Sequence, residues 1–247
     1  TVCSKVCTAM ASSLEVLPGV PGRRAVPDAA GCDPMNIFAW VLLVAYACAA
    51  VADWMAVARR QRDLEALAKP ATLVVLILLA WLLRADSVSY GRFLLLGLLL
   101  SLVGDIALLG DSLRRFRIGL GAFLLAHLAY LAAFRRLACD GPIWPAIVVV
   151  VLLVLAVVLT RILPRVRADW RDGIPLLLYA VVLGAMTAVA WGTGWVVVGV
   201  GATLFLVSDA ILAYDRFERE LPWGKLAVHV TYHLSQLLIV WGMLRPG

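Results

Sequence analysis

Two carboxylates stand where carboxylates are expensive. Asp105 lies in the run G-L-L-L-S-L-V-G-D-I-A-L-L, residues 97–109, and Asp209 in G-A-T-L-F-L-V-S-D-A-I-L-A, residues 201–213. An ionisable side chain inside an apolar run is costly to bury and marks a functional position with a partner to be found. Two such groups suit acid–base chemistry, one giving a proton and the other steadying positive charge or activating water. Facing each other in a low-dielectric bundle they would divide their proton affinities, leaving one protonated near neutral pH. The two stretches resemble each other around their aspartates, and the sequence predicts that the aspartates meet.

Other polar residues fall at the same expected depth. His229, Tyr232, His233 and Gln236 occupy positions i, i+3, i+4 and i+7 of one segment, and so share one helical face. A polar face in an apolar helix looks inward, as a wall of a site or as a hydrogen-bonded seam. His229 is expected to orient an aspartate or shuttle its proton, and Tyr232 and Gln236 to bind water or substrate hydroxyls. His229 and His233 would hold zinc only with the aspartates or His127 as further ligands; no metal and no cofactor is expected. Lys69, expected just before a helix opening at Pro70, would bind a phosphate or steady an aspartate. Arg59, Arg60 and Arg62 read as topology signals, or more sharply as a phosphate fork. Gly97, Ser101, Gly104, Gly201, Ala202 and Ser208 are small and would let helices approach closely. His127 and Tyr130 lie deeper, where a packing hydrogen bond is expected.

The elements that must position these residues are transmembrane helices. The 247 residues are 63% hydrophobic and 15% charged, with mean hydropathy +0.94. Soluble domains are about 45–50% apolar. Continuous apolar runs at 36–58, 70–83, 91–110, 117–138, 143–163, 174–192, 194–214 and 224–244 predict an all-α, eight-helix, multi-pass membrane protein. Its halves, 36–138 and 143–244, read as a parallel four-helix repeat: Pro70 pairs with Pro175, and His127-Leu-Ala-Tyr130 with His229-Val-Thr-Tyr232. Residues 1–35, with Pro18, Pro21, Pro27 and Pro34, read as a flexible tail. The net charge of +6 comes from short loops rather than from a recognition module, which excludes nucleic-acid binding. Lys and Arg concentrate after helices 1, 3, 5 and 7, predicting both termini outside the cytoplasm; such loops fit an endomembrane as well as a bacterial plasma membrane, the latter being the expected location. The cysteines, Cys3, Cys7, Cys32, Cys48 and Cys139, lack a zinc-site pattern.

On these residues the chain resembles the YhhN-type lysoplasmalogenase family of small membrane hydrolases. The likeness rests on Lys69-Pro70, Ser101-Leu-Val-Gly104-Asp105, Tyr179 to Met186, Phe205-Leu-Val-Ser208-Asp209 and Tyr232-His-Leu-Ser-Gln236. It spans residues 36–244. The resemblance implies cleavage of the vinyl-ether bond of a lysoplasmalogen, giving a fatty aldehyde and a glycerophospho-head group. Catalytic roles would fall to Asp105, Asp209 and His229, and substrate contacts to Lys69, Tyr179, Ser208, Tyr232 and Gln236. Intramembrane Asp and His also suit a proton-coupled transporter. A metal-dependent lipid hydrolase and a non-catalytic lipid-binding protein are the other readings.

Overall fold

The computed structural model describes residues 37–83, 85–110, 112–137 and 141–244. The expected tail, 1–35, lies outside them. Eight helices are long and apolar enough to cross a membrane: α1 (Ile37–Ala58), α2 (Arg62–Leu82), α3 (Gly91–Leu108), α4 (Leu113–Phe134), α5 (Trp144–Ala168), α6 (Trp170–Gly192), α7 (Val196–Phe217) and α8 (Gly224–Leu244). One 3₁₀ turn, Ala85–Ser87, joins α2 to α3. No strand occurs among the described residues.

Helix starts correct the sequence reading in two places. Helix α2 begins at Arg62 rather than Pro70. Its first turns, R-D-L-E-A-L-A-K, are too charged for a hydropathy window, yet Leu, Glu, Ala and Lys favour helix. Asp63 and Glu65 lie in the first turn, where acidic groups complement the helix dipole. Pro70 therefore sits inside α2, where it has no N–H to give to the Ala66 carbonyl; Thr72 Oγ1 donates to the Lys69 carbonyl at 2.6 Å. Pro175 likewise lies inside α6.

Helix α5 has its own irregularity. Pro164 has no N–H to give to the Thr160 carbonyl. The chain widens there into a π turn, Val158–Ile162, in which the Leu163 N–H reaches the Val158 carbonyl. Thr160 Oγ1 donates to the Ala156 carbonyl at 2.6 Å.

Packing follows small residues. Helices α3 and α4 lie against each other closely enough that a Cβ on Gly97 would stand 2.5 Å from the Tyr130 ring. Helices α7 and α8 do the same at Gly201, beside Ile239. Further seams join α1 to α2, α2 to α3, α4 to α6, α6 to α7, and α8 to α1 and α2. Helix α5 leans on α6 and makes no comparable seam with α7 among the described residues. Its Val148, Val149, Leu152 and Leu153 are exposed, as are Trp40, Trp81 and Trp144 near helix ends. The polarity is that of a membrane protein: apolar outside, with Asp53, Asp105, His127, His233 and Gln236 at or near zero exposure inside. Most seams of the first half have a counterpart four helices on, but the α8–α1 seam has none of like size between α4 and α5 among the described residues.

Candidate active site

The expected polar residues sort into three linked groups. The first centres on Asp105 of α3. Lys69 of α2 places Nζ 3.3 Å from Asp105 Oδ1, and Tyr232 of α8 donates to Oδ2 at 2.9 Å. One helical turn further along α8, Gln236 accepts from Tyr130 at 2.7 Å and donates to Ser101 Oγ at 3.1 Å. Asp105, Ser101, Tyr130 and Gln236 are wholly buried. Lys69 is thus committed to a buried carboxylate, which a charge taken out of water requires.

The second group centres on Asp209 of α7. Tyr179 of α6 donates to Asp209 Oδ2 at 2.5 Å, a short bond typical of a hydroxyl meeting a carboxylate. His127 Nε2 of α4 lies 3.7 Å from the same oxygen, beyond hydrogen-bond reach. Neither nitrogen of His127 has a hydrogen bond among the described residues. Its ring meets those of Tyr179 and Phe205 edge-on, at 5.3 and 4.7 Å between centroids. Phe205 also packs edge-on against Tyr232, at 5.4 Å. No hydrogen bond joins the two aspartates among the described residues.

Asp209 and Tyr179 form part of the wall of a cavity of about 500 Å³ between α4, α5, α6 and α7. Apolar side chains such as Leu153, Val157, Leu176, Leu183 and Leu206 make most of the rest, with Arg161, Arg165 and Glu218 as its other charged residues. An apolar hollow with few converging polar groups is what a binding site for a small amphipathic ligand looks like. Asp105 is absent from this lining.

The third group holds His229. Its Nδ1 stands 2.6 Å from Asp53 Oδ2 of α1, and its Nε2 3.9 Å from Glu65 Oε1 of α2. Glu65 is ion-paired to Lys225 at 2.7 Å. The structure does not bring His229 to either Asp105 or Asp209. His233 Nδ1 receives the Trp54 indole N–H at 3.1 Å. Indole only donates, so Nε2 carries the ring hydrogen and points it at Thr72 Oγ1, 3.2 Å away. Both His233 nitrogens are therefore engaged, and no cluster of three metal-ligating side chains occurs among the described residues. Ser208 donates to the Val228 carbonyl at 3.1 Å, a seam between α7 and α8.

Asp53, Glu65 and the cavity arginines were not singled out from sequence. Asp53 carries the same signal as Asp105, a carboxylate within an apolar run. Glu65 was hidden by the late start assigned to helix 2.

The YhhN family model matches residues 64–243. The chain belongs to the YhhN family. Within it, the chain is similar to the lysoplasmalogenase TMEM86B of Homo sapiens, 33% identical over 165 residues, which is 65% of this chain and 67% of that one. The lysoplasmalogenase TMEM86B of Mus musculus is 31% identical over 189 residues, 74% of this chain and 77% of the relative. The uncharacterized membrane protein YhhN of Escherichia coli O157:H7 is 30% identical over 183 residues, 70% and 83% of the two chains. No solved structure matches this chain.

Proposed function

We propose that this protein is a membrane hydrolase that cleaves the vinyl-ether bond of lysoplasmalogens, releasing a fatty aldehyde and a glycerophospho-head group. The observation that carries the reading is Asp209 with its Tyr179 hydrogen bond on the wall of an apolar cavity within the bundle. Relatives named lysoplasmalogenase support it.

In this reading the carboxyl of Asp209 gives its proton to the β-carbon of the vinyl ether. The double bond's electron pair takes that proton, leaving an oxocarbenium ion. Water adds to the cation and returns a proton to the Asp209 carboxylate. The resulting hemiacetal collapses to the aldehyde as its hydroxyl proton passes to the departing glycerol oxygen. Glycosidases meet a related oxocarbenium ion with two carboxylates. Asp105 serves as the second, a fixed negative charge behind Tyr232 and Phe205, held by Lys69. Tyr179 positions Asp209. Tyr232 and Gln236 hold Asp105 and its surroundings rather than touching substrate, Ser208 fixes the α7–α8 seam beside the site, and His229 braces α8 against α1 and α2. Lys and Arg cluster at the α1–α2, α3–α4, α5–α6 and α7–α8 connections and the helix ends beside them, which supports termini outside the cytoplasm of a bacterial plasma membrane.

Aldehyde release from a defined lysoplasmalogen by the purified protein tests this. Release that is lost in Asp209→Asn, in a variant that keeps its melting temperature, and in the charge-free double variant Lys69→Met with Asp105→Asn, is the expected result. A folded wild type that releases none overturns the reading.

A further inference from the structure

Arg161 and Arg165 are one helical turn apart on α5 and share one carboxylate, Glu218, just past the end of α7, but they hold it differently. Arg165 Nη2 meets Glu218 Oε1 at 2.5 Å and the Phe217 carbonyl at 3.4 Å, while its Nη1 donates to the Arg161 carbonyl at 3.1 Å. It is a staple between the ends of α5 and α7. Arg161 reaches Glu218 Oε2 only at 3.6 Å, and its side chain is 57% exposed. Among the described residues that long contact is its one charged partner. A guanidinium has five N–H donors in a planar fork, so Arg161 retains donors while lining the cavity.

Its height suits the ligand. The staple joins Arg165 of α5 to Glu218, just past α7. Counted from it, Arg161 lies four residues along α5 and Asp209 nine along α7, roughly 6 and 14 Å at 1.5 Å per residue, so Arg161 stands about 8 Å nearer the helix ends than Asp209. Both line the same hollow. The π turn that Pro164 imposes contains Arg161, and such widened turns recur at functional sites. Lys69, the cation singled out from sequence, is buried on Asp105 and does not line the cavity.

We infer that Arg161 binds the phosphate monoanion or diester of a single-chain glycerophospholipid whose hydrocarbon fills the cavity, and that Glu218 occupies this guanidinium when the site is empty. The inference rests on the lipid-hydrolase reading for its substrate class but not for its test. In a lysoplasmalogen only the three glycerol carbons and their oxygens separate the vinyl ether from the phosphate, so one ligand can span Asp209 and Arg161. A phosphate meets the guanidinium fork bidentately and displaces the weaker 3.6 Å contact. Arg165, held on three acceptors, stays with Glu218.

The experiment is equilibrium binding, which needs no turnover. A 1-O-alkyl lysophospholipid, which has no vinyl ether to cleave, the matching 1-O-alkylglycerol and glycerol 3-phosphate are titrated against the full chain in a nonionic detergent. The wild type is expected to bind the phospholipid at least tenfold more tightly than the alkylglycerol. Arg161→Ala should abolish that preference while changing alkylglycerol affinity by less than about twofold, and Arg161→Lys should restore part of it. Glu218→Gln, which keeps a hydrogen-bond acceptor for Arg165 but removes the competing charge, should tighten phospholipid binding several-fold. A wild type without phosphate preference, or an Arg161→Ala protein that keeps it, overturns the inference whether or not the protein cleaves vinyl ethers. Glycerol 3-phosphate binding as tightly as the lipid, dependent on Arg161, overturns the lipid assignment in favour of a soluble phosphate ester. Failure of aldehyde release with the binding pattern intact overturns only the hydrolase reading.

Discussion

Lys69 stands 3.3 Å from Asp105, and no lysine or arginine stands in that relation to Asp209 among the described residues. The two aspartates, alike in sequence context, therefore have unlike surroundings: one is charge-compensated and sealed in, the other meets a tyrosine, a histidine edge and the cavity.

Removing one member of the Lys69–Asp105 pair leaves the other as an uncompensated buried charge, which costs about 3–5 kcal/mol. Lys69→Met should lower the melting temperature sharply in detergent. The double variant Lys69→Met with Asp105→Asn should recover much of that loss, since neither charge remains. A double-mutant cycle by thermal unfolding measures the coupling.

Tyr179→Phe deletes the hydroxyl that donates to Asp209 while keeping the ring that packs on His127. A hydrogen bond to a carboxylate contributes about 1.5–3 kcal/mol. Aldehyde-release kcat should fall roughly 10- to 100-fold by that figure, with KM changed much less and the melting temperature lowered by several degrees as the same bond is lost to the fold. Steady-state kinetics beside thermal unfolding checks both halves.

Gly97→Ala and Gly121→Ala should move stability in opposite directions. A Cβ at Gly97 meets the Tyr130 ring at 2.5 Å, whereas one at Gly121 meets nothing within 4 Å. Overpacking costs about 1–3 kcal/mol, and it would also push Tyr130 off Gln236. At the open position alanine gains about 0.8–1 kcal/mol of helix propensity. Melting temperatures of the two variants decide.

Glu218 lies beyond the end of α7, where the Arg165 hydrogen bond, reinforced by the charges of Arg165 and Arg161, holds its carboxyl below the usual carboxylate range. Because the folded value is the lower one, the α5–α7 staple is fully present above the unfolded value of about 4.3 and is lost as pH falls through the folded value. Any melting-temperature difference between wild type and Glu218→Gln should stay constant from pH 6 to 8 and shrink only in acid. A difference that changes across neutral pH would contradict the pairing.

The helices were legible because lipid demands long apolar runs, and the runs were there. Charged helical turns were not: Arg62 to Lys69 reads as a loop to any hydropathy window, so Glu65 and its pairing with Lys225 stayed hidden. Which polar residues turn inward was legible by type and depth: Lys69, Asp105 and Tyr232 do meet, with Gln236 one turn further along α8. Depth alone cannot give azimuth, however. His229 shares a level with the aspartates but faces α1, and its partner Asp53 enters from a helix whose polar residue was overlooked. The relation of Tyr179 to Asp209 depended on which faces of α6 and α7 meet, which periodicity in an all-apolar helix does not reveal. The arginines of α5 read as loop charge until the π turn carried Arg161 to the cavity.

The weak packing of α5 on α7, joined among the described residues by the Arg165–Glu218 staple, also bears on how concentration must be reckoned. The expected route for a lipid into a hollow walled by such a helix is sideways, from the plane of the bilayer. Encounter then depends on the mole fraction of substrate in that plane and not on the amount per volume of buffer. Diluting the substrate with inert lipid at constant total substrate should slow turnover in proportion. Single-chain phosphocholine detergents, which share the substrate's shape, should act as competitors rather than as neutral solvents.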